Sequence, residues 1–116
     1  MILLKQNEVH KQSQYCLTCD KTSHSVIIEK KSRISKILNT GDNIKIDVNS
    51  NHNYIVGNLG KGVVITGKSP DEVPEILEVP SYNKFLLAVQ WNPEFISTNA
   101  DKKIIKSFCN AVENNI

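Results

Sequence analysis

The sequence predicts an α/β protein made of short, mostly antiparallel strands followed by a C-terminal helix. Residues 60–90 contain several short apolar runs separated by turn residues, which is typical of antiparallel strands. Residues 44–48 alternate apolar and charged side chains, as a half-buried strand does. From residue 104 onward, apolar residues return at helical spacing. Together these three patterns indicate the fold class.

The individual elements follow from local patterns along the chain. We predict strands over residues 24–29, 44–48, 63–66, 75–79 and 85–90. A short helix is predicted over 32–38, and a longer one begins after Thr98 or Asn99, either of which could cap it. The apolar stripe of the longer helix comprises Ile104, Ile105, Phe108, Cys109 and Val112. Residues 1–23 show no clear period, so we assign them to a lead-in, partly helical or looped, before a domain over 24–116.

Composition excludes several classes of protein. The 116 residues carry a net charge of only +2, and the lysines are dispersed, which argues against nucleic acid as a partner. No apolar run approaches the roughly 20 residues of a membrane span, so we expect no membrane partner. Three cysteines cannot all pair with one another, which favours a reducing, cytoplasmic compartment. The abundance of Asn, Lys and Ile indicates AT-rich codons and a bacterial source.

The most informative segment, Gln90-Trp91-Asn92-Pro93-Glu94, directly follows the apolar run 85–89. A strand's C-terminal end is where ligands and catalytic groups gather in open α/β sheets. Three earlier blocks belong with this motif: 24–38, with its apolar strand and helix, Val48-Asn49-Ser50-Asn51-His52, and 69–78, which contains three glutamates. In this order, the four blocks resemble the C-terminal half of the class I glutamine amidotransferases. The closest branch is the γ-glutamyl-γ-aminobutyrate hydrolase type, or peptidase C26 family, which has a flavodoxin-like fold.

The resemblance implies a Cys-His-Glu amidohydrolase, but two departures oppose activity. The family motif reads Q-W-H-P-E, in which the His is the general base and the Glu orients it. Here Asn92 replaces that His, and an amide has no useful basicity near neutral pH. Glu94 would then be a relic of the triad acid. The family nucleophile lies in a G-x-C-x-G elbow, whereas no cysteine here has a glycine within two residues. The chain begins about where that elbow would end, so we expect a truncated, degenerate domain.

Two further residue sets have open interpretations. His52 could line a substrate pocket or be a solvated loop residue, whereas Trp91 is expected in the core. Cys16 and Cys19 form a C-x-x-C near His10 and His24, but the histidine spacings are unusual for structural zinc. We therefore expect reduced thiols, no metal and no cofactor.

The functional expectation is a catalytically inactive remnant of a γ-glutamyl amide hydrolase. One alternative is a non-catalytic interaction module or the C-terminal half of a split amidotransferase, with the nucleophile on a separate chain. Another is the product of a decaying gene. Without an N-terminal half, strands 44–48 or 85–90 would leave an open edge, which predicts either pairing with such a half or self-association.

Overall fold

The computed structural model describes residues 2–3, 21–39, 41 and 45–114. Seven strands run in chain order with two helices, and every described strand pairing is antiparallel. The strands are β1 (Ile2–Leu3), β2 (His24–Ile28), β3 (Lys45–Val48), β4 (Tyr54–Ile55), β5 (Val64–Lys68), β6 (Pro74–Glu78) and β7 (Leu87–Val89). Helix α1 spans Arg33–Leu38, helix α2 spans Asn99–Asn114, and a 3₁₀ turn covers Pro93–Phe95.

Five strands form the main sheet in the order β3-β2-β5-β6-β7, and β1 pairs with β4 in a separate ribbon. The predicted α/β class with short antiparallel strands and a C-terminal helix is therefore confirmed. The strand predicted over 85–90 is shorter than expected, because only Leu87–Val89 pair with β6. The lead-in prediction of helix or loop is wrong at Ile2–Leu3, which pair with Tyr54–Ile55 as a strand. Neither two-residue strand is long enough to leave an alternating pattern in the sequence.

One apolar cluster joins the sheet to both helices. Its buried members come from β2, α1, β3, β6, the segment after β7 and α2: Val26, Ile28, Ile34, Leu38, Val48, Ile76, Trp91 and Ile104. Val26 lies opposite Ile46 and His24 lies opposite Val48 in the β2–β3 register, so these side chains share one sheet face. Trp91 is 2% exposed, which confirms its predicted core position. No helix in the described part of the chain is long and apolar enough to cross a membrane.

The centre of the sheet is unusually close-packed at Gly67. The register between β5 and β6 shifts on both sides of this residue, which lies opposite Ile76. A Cβ atom built on Gly67 would lie 2.6 Å from Ile76 Cδ1 and 3.1 Å from Ile76 Cβ. Only glycine leaves space for the isoleucine to cross the neighbouring strand at this point.

Helix α1 is capped by a side chain from a distant strand. The Glu78 carboxylate accepts hydrogen bonds from the backbone N–H groups of Arg33 and Ile34, at 2.9 and 3.1 Å. It also accepts one from the Thr66 hydroxyl at 2.8 Å. A negative charge at a helix N-terminus satisfies donors that have no partner within the helix. Glu78 is therefore buried for a structural reason, and it fixes α1 against β5 and β6.

Candidate functional site

The segment Gln90–Glu94 leaves the end of β7 and is anchored on its buried tryptophan. Trp91 donates its indole N–H to Asp101 Oδ1 at 3.0 Å, and the Ser97 backbone N–H donates to Asp101 Oδ2 at 2.9 Å. Asp101 is fully buried in the first turn of α2. Burial raises the pKa of this carboxyl above its ordinary value of 3.8, although the hydrogen bond from Trp91 opposes the shift. Asp101 thus joins the start of α2 to both ends of the loop.

The backbone at Asn92 is held by the buried side chain of Asn49. Asn49 donates its amide N–H to the Asn92 carbonyl and accepts from the Asn92 backbone N–H, both at 2.8 Å. One primary amide can make these two contacts because it carries a donor and an acceptor side by side. Asn49 follows β3, so this pair of bonds connects the third strand's end to the end of β7. The position of residue 92 is accordingly well defined.

The Asn92 side chain points to Glu94, two residues onward. Asn92 Nδ2 donates to Glu94 Oε1 at 3.0 Å. The other amide atom, Asn92 Oδ1, is buried and has no hydrogen-bond partner among the described residues. Asn92 therefore contacts Glu94 from the position that a histidine holds in the family motif, but its amide oxygen cannot accept a proton from a thiol near neutral pH. Glu94 itself is exposed.

The turn after the motif holds a β-branched residue in a strained conformation. Ile96 ends the 3₁₀ turn with φ 49° and ψ 51°, and its backbone N–H donates to the Pro93 carbonyl. A left-handed conformation costs a β-branched residue roughly 1–2 kcal/mol. Strain of this kind persists only where the surrounding structure enforces it. Here the anchored segment before Ile96 and the Asp101 contact after it supply that constraint.

A second polar cluster adjoins the motif and consists of His24, His52 and Glu75. The Nε2 atoms of His24 and His52 lie 3.5 and 3.6 Å from Glu75 Oε1, and all three side chains are buried. The Nδ1 atoms lie 2.9 Å from the carbonyls of Ser25 and Tyr54, respectively. The contact of each Nδ1 atom with a carbonyl orients its ring so that Nε2 faces the carboxylate. His52 is therefore not solvated, and it binds the loop after β3 to β6.

The buried cluster also borders a cavity at the end of β7. The Gln90 backbone N–H donates to the Glu75 carbonyl at 2.9 Å. Both side chains line a cavity of about 170 Å³ with Val56, Leu77 and Val89 among its other walls. Gln90 Nε2 is buried and has no hydrogen-bond partner among the described residues. The substrate-pocket interpretation of His52 remains a prediction, because this cavity is lined by its neighbour Glu75 and not by His52 itself.

Of the residues considered for zinc, the structure describes only His24, which lies beside Glu75. Cys109 is an exposed free thiol on α2, whereas Cys16, Cys19 and His10 lie outside the described residues. Across residues 2–3, 21–39, 41 and 45–114, no three His, Cys, Asp or Glu side chains are placed to hold a metal ion.

Sequence reasoning identified Asn92 and Glu94 but missed the residues that hold them. Asn49 and Asp101 are fully buried polar residues, and Glu75 and Glu78 are buried carboxylates in one five-residue strand. Two acids at buried positions of a short strand are the one local signal that could have drawn attention to β6. The partners of Asn49, Glu75 and Glu78 lie more than ten residues away along the chain, so no spacing in the sequence could have identified these contacts.

Comparison with known proteins identifies the family of this chain. The sequence profile of peptidase C26 matches residues 3–94. The chain belongs to this family. It is 34% identical over 90 residues to a glutamine amidotransferase-like protein of Rickettsia prowazekii, which covers 77% of this chain and 31% of the relative. A glutamine amidotransferase-like protein of Lactococcus lactis is 37% identical over 65 residues, which cover 54% of the chain and 27% of that relative.

A different kind of relative matches the same C26 chain. CTP synthase of Staphylococcus epidermidis is 36% identical over 95 residues, which cover 75% of this chain and 17% of the synthase. The C26 chain thus spans less than a third of the length of each of these three proteins. The resemblance to class I glutamine amidotransferases is confirmed at the level of the family.

Proposed function

We propose that this chain is a catalytically inactive glutamine amidotransferase-like module, a remnant of a γ-glutamyl amide hydrolase. It would hydrolyse neither glutamine nor γ-glutamyl amides. The family reaction requires a thiol to attack a γ-carboxamide, with an imidazole to take the thiol's proton. Asn92 at the base position cannot do so, whatever cysteine is brought to it.

The observation that carries this proposal is the Asn92–Glu94 hydrogen bond at 3.0 Å. The amide already contacts the carboxylate that would orient a histidine, and Asn49 fixes its backbone on both sides. If the loop were rearranged and placed another residue at the base position, that residue could act as the general base. A well-held loop with an amide at that position supports loss of the base.

The test is release of ammonia from glutamine, and of amine from γ-glutamyl amides, by the purified 116-residue chain. We expect rates equal to those of buffer, and equal rates for the Asn92→His variant, because a base needs a thiol within hydrogen-bond reach. Glu94→Ala is the matched control for contaminating activity. Turnover by the unaltered chain that is lost in Glu94→Ala would refute the proposal.

A second candidate is supported by the edge position of β7, which pairs only with β6 in the described sheet. The chain would be the C-terminal part of an amidotransferase-like assembly whose remaining part lies on another polypeptide. Relatives that are more than three times longer than the matched segment support this candidate. Asn92 would still block the usual mechanism in such an assembly unless another group replaced the base.

The proposed setting is a bacterial cytoplasm. The Asn-, Lys- and Ile-rich composition and the three cysteines support it. The bacterial origin of the three relatives described above agrees with a bacterial source.

A further inference from the structure

We propose that a groove between α1, the loop after β6 and α2 binds a small organic phosphate, with lysines and an arginine on the phosphate and apolar side chains against the organic body. We call this surface the basic groove. It has a volume of about 570 Å³, and its cationic residues are Lys30, Lys31, Arg33 and Lys36. A groove of this size is typical of sites for small molecules.

The first observation is the excess of positive charge in the basic groove. Its four cations are accompanied by two carboxylates, Glu29 and Glu78. Glu78 is buried, and its oxygens already accept three hydrogen bonds from α1 and β5. Between described residues, the only ion pair of a lysine or an arginine joins Lys68 to Glu72, and neither of these lines the groove. The cations of the groove therefore favour an anion with more than one negative charge, such as a phosphate monoester.

The second observation is that the guanidinium of Arg33 is held in place. It donates to the carbonyls of Lys84 and Tyr82, at 2.9 and 3.4 Å. These two hydrogen bonds fix the side chain against the loop after β6. A guanidinium carries further N–H donors, which remain for a ligand. A planar group that is already oriented can bind two phosphate oxygens together and loses less conformational entropy on binding.

The third observation is the apolar part of the lining. Ile37, Val64, Val79, Pro80 and Phe85 line the groove together with the cations. Val64 is 39% exposed, although it begins a strand of the main sheet. Inorganic phosphate would leave this apolar surface in contact with water, whereas an ester with an aromatic or aliphatic body would cover it. The combination of cations and apolar surface therefore indicates a phosphate ester as the ligand.

The basic groove lies at the other end of the β6–β7 pair from the segment Gln90–Glu94. The first residue of β7, Leu87, lies opposite Glu78 at the groove, and the motif follows the last residue of β7. None of residues 90–94 lines the groove. Binding in the groove is therefore separate from the inactivity proposed above.

The experiment titrates the full 116-residue chain with 1-naphthyl phosphate and follows the backbone amide chemical shifts by two-dimensional NMR. We expect saturable binding with a dissociation constant of about 0.1–1 mM, the range for a ligand of this size. The largest shifts should fall in residues 29–37 and 79–85. Inorganic phosphate and 1-naphthol are the matched ligands, and each should bind about tenfold more weakly because it lacks one part of the contacts.

Two double variants locate the phosphate. Lys30→Gln with Lys36→Gln removes two exposed lysines of the groove, and Lys102→Gln with Lys106→Gln removes two exposed lysines of α2 that do not line it. Both pairs lower the net charge equally, so a difference between them reports the position of the charges. We expect the groove pair to raise the dissociation constant by about fivefold or more, and the α2 pair to raise it by less than about twofold.

Arg33→Gln tests the held guanidinium. We expect it to raise the dissociation constant by about tenfold, because a charged hydrogen-bond donor to the phosphate is lost. Since Arg33 also contacts the loop after β6, thermal melts of this variant alone check that it folds. The two lysine pairs decide the question if Arg33→Gln unfolds, because their side chains are exposed.

Four results would overturn the proposal. One is the absence of saturable binding of 1-naphthyl phosphate up to about 5 mM. Another is equal weakening by the groove pair and the α2 pair. The third is binding of inorganic phosphate or of 1-naphthol as tight as that of the ester. The fourth is a set of largest shifts at residues 90–94, which would place the ligand at the motif. Amide hydrolysis by the chain would instead refute inactivity and leave the basic groove untouched.

Discussion

Replacing Asn49 with alanine should loosen the candidate site by a predictable amount. The substitution removes the donor to the Asn92 carbonyl and the acceptor of the Asn92 N–H, both at 2.8 Å. Each hydrogen bond contributes about 1 kcal/mol net, and a buried group left unpaired costs roughly 1–3 kcal/mol. Asn92 is only partly buried, so water can replace some of each contact. We expect the free energy of unfolding to fall by about 2 kcal/mol.

The assay is urea unfolding followed by tryptophan fluorescence, because Trp91 is the only tryptophan and directly precedes Asn92. With a slope of about 2 kcal/mol per molar urea, the midpoint should fall by about 1 M without a change in slope. Asn51→Ala is the matched control, since Asn51 is exposed and should change stability by less than about 0.5 kcal/mol. Equal midpoints for the two variants would refute the claim that Asn49 holds the loop.

Three other substitutions test the fold and its pH dependence. Gly67→Ala should lower the free energy of unfolding by about 1–3 kcal/mol, because the new Cβ overlaps Ile76. Gly60→Ala is the control and should cost less than about 1 kcal/mol, because the atom nearest to its new Cβ lies 3.7 Å away. Equal losses in urea unfolding would contradict the close packing at Gly67. Ile96→Asn should raise the free energy of unfolding by about 0.5–1 kcal/mol, because asparagine tolerates the left-handed conformation better than isoleucine. A lower melting temperature for this variant would show that no strain is stored at residue 96. Burial raises the pKa of Asp101, so the folded chain holds the carboxyl proton more tightly than the unfolded chain does. The stability that this proton contributes is complete below pH 3.8 and is lost as the pH rises through the raised pKa. Asp101→Asn should remove this slope from stability measured against pH, and an unchanged slope would assign it to another group.

The elements that could be predicted are those with a local pattern of adequate length. The alternation of Ile46 and Val48 with charged neighbours, and the apolar return of α2, each occupy several consecutive residues. Strand β4 has only two residues and the 3₁₀ turn only three, so neither could establish a period. The strand expected over 85–90 begins only at Leu87, because apolar composition alone does not reveal where pairing with β6 starts.

The candidate site divides along the same line. Asn92 and Glu94 lie within one five-residue motif, so comparison with the family pattern Q-W-H-P-E was enough to identify them. Asn49 acts on Asn92 from 43 residues away, and Glu75 meets His24 and His52 across three separate elements. Such partners are determined by strand register and by the loop after β3. Neither property can be obtained from residue spacing in one sequence.

The central claim is that Asn92 deprives this family member of its general base, and one measurement tests it most directly. The chain and its Asn92→His variant would each be combined with an N-terminal half of an active class I glutamine amidotransferase that carries the G-x-C-x-G cysteine. Ammonia release from glutamine would then be compared between the two mixtures. We predict no turnover above the half alone for the unaltered chain, and turnover for Asn92→His. Equal turnover by both mixtures would contradict the account, because a base other than residue 92 would then be at work.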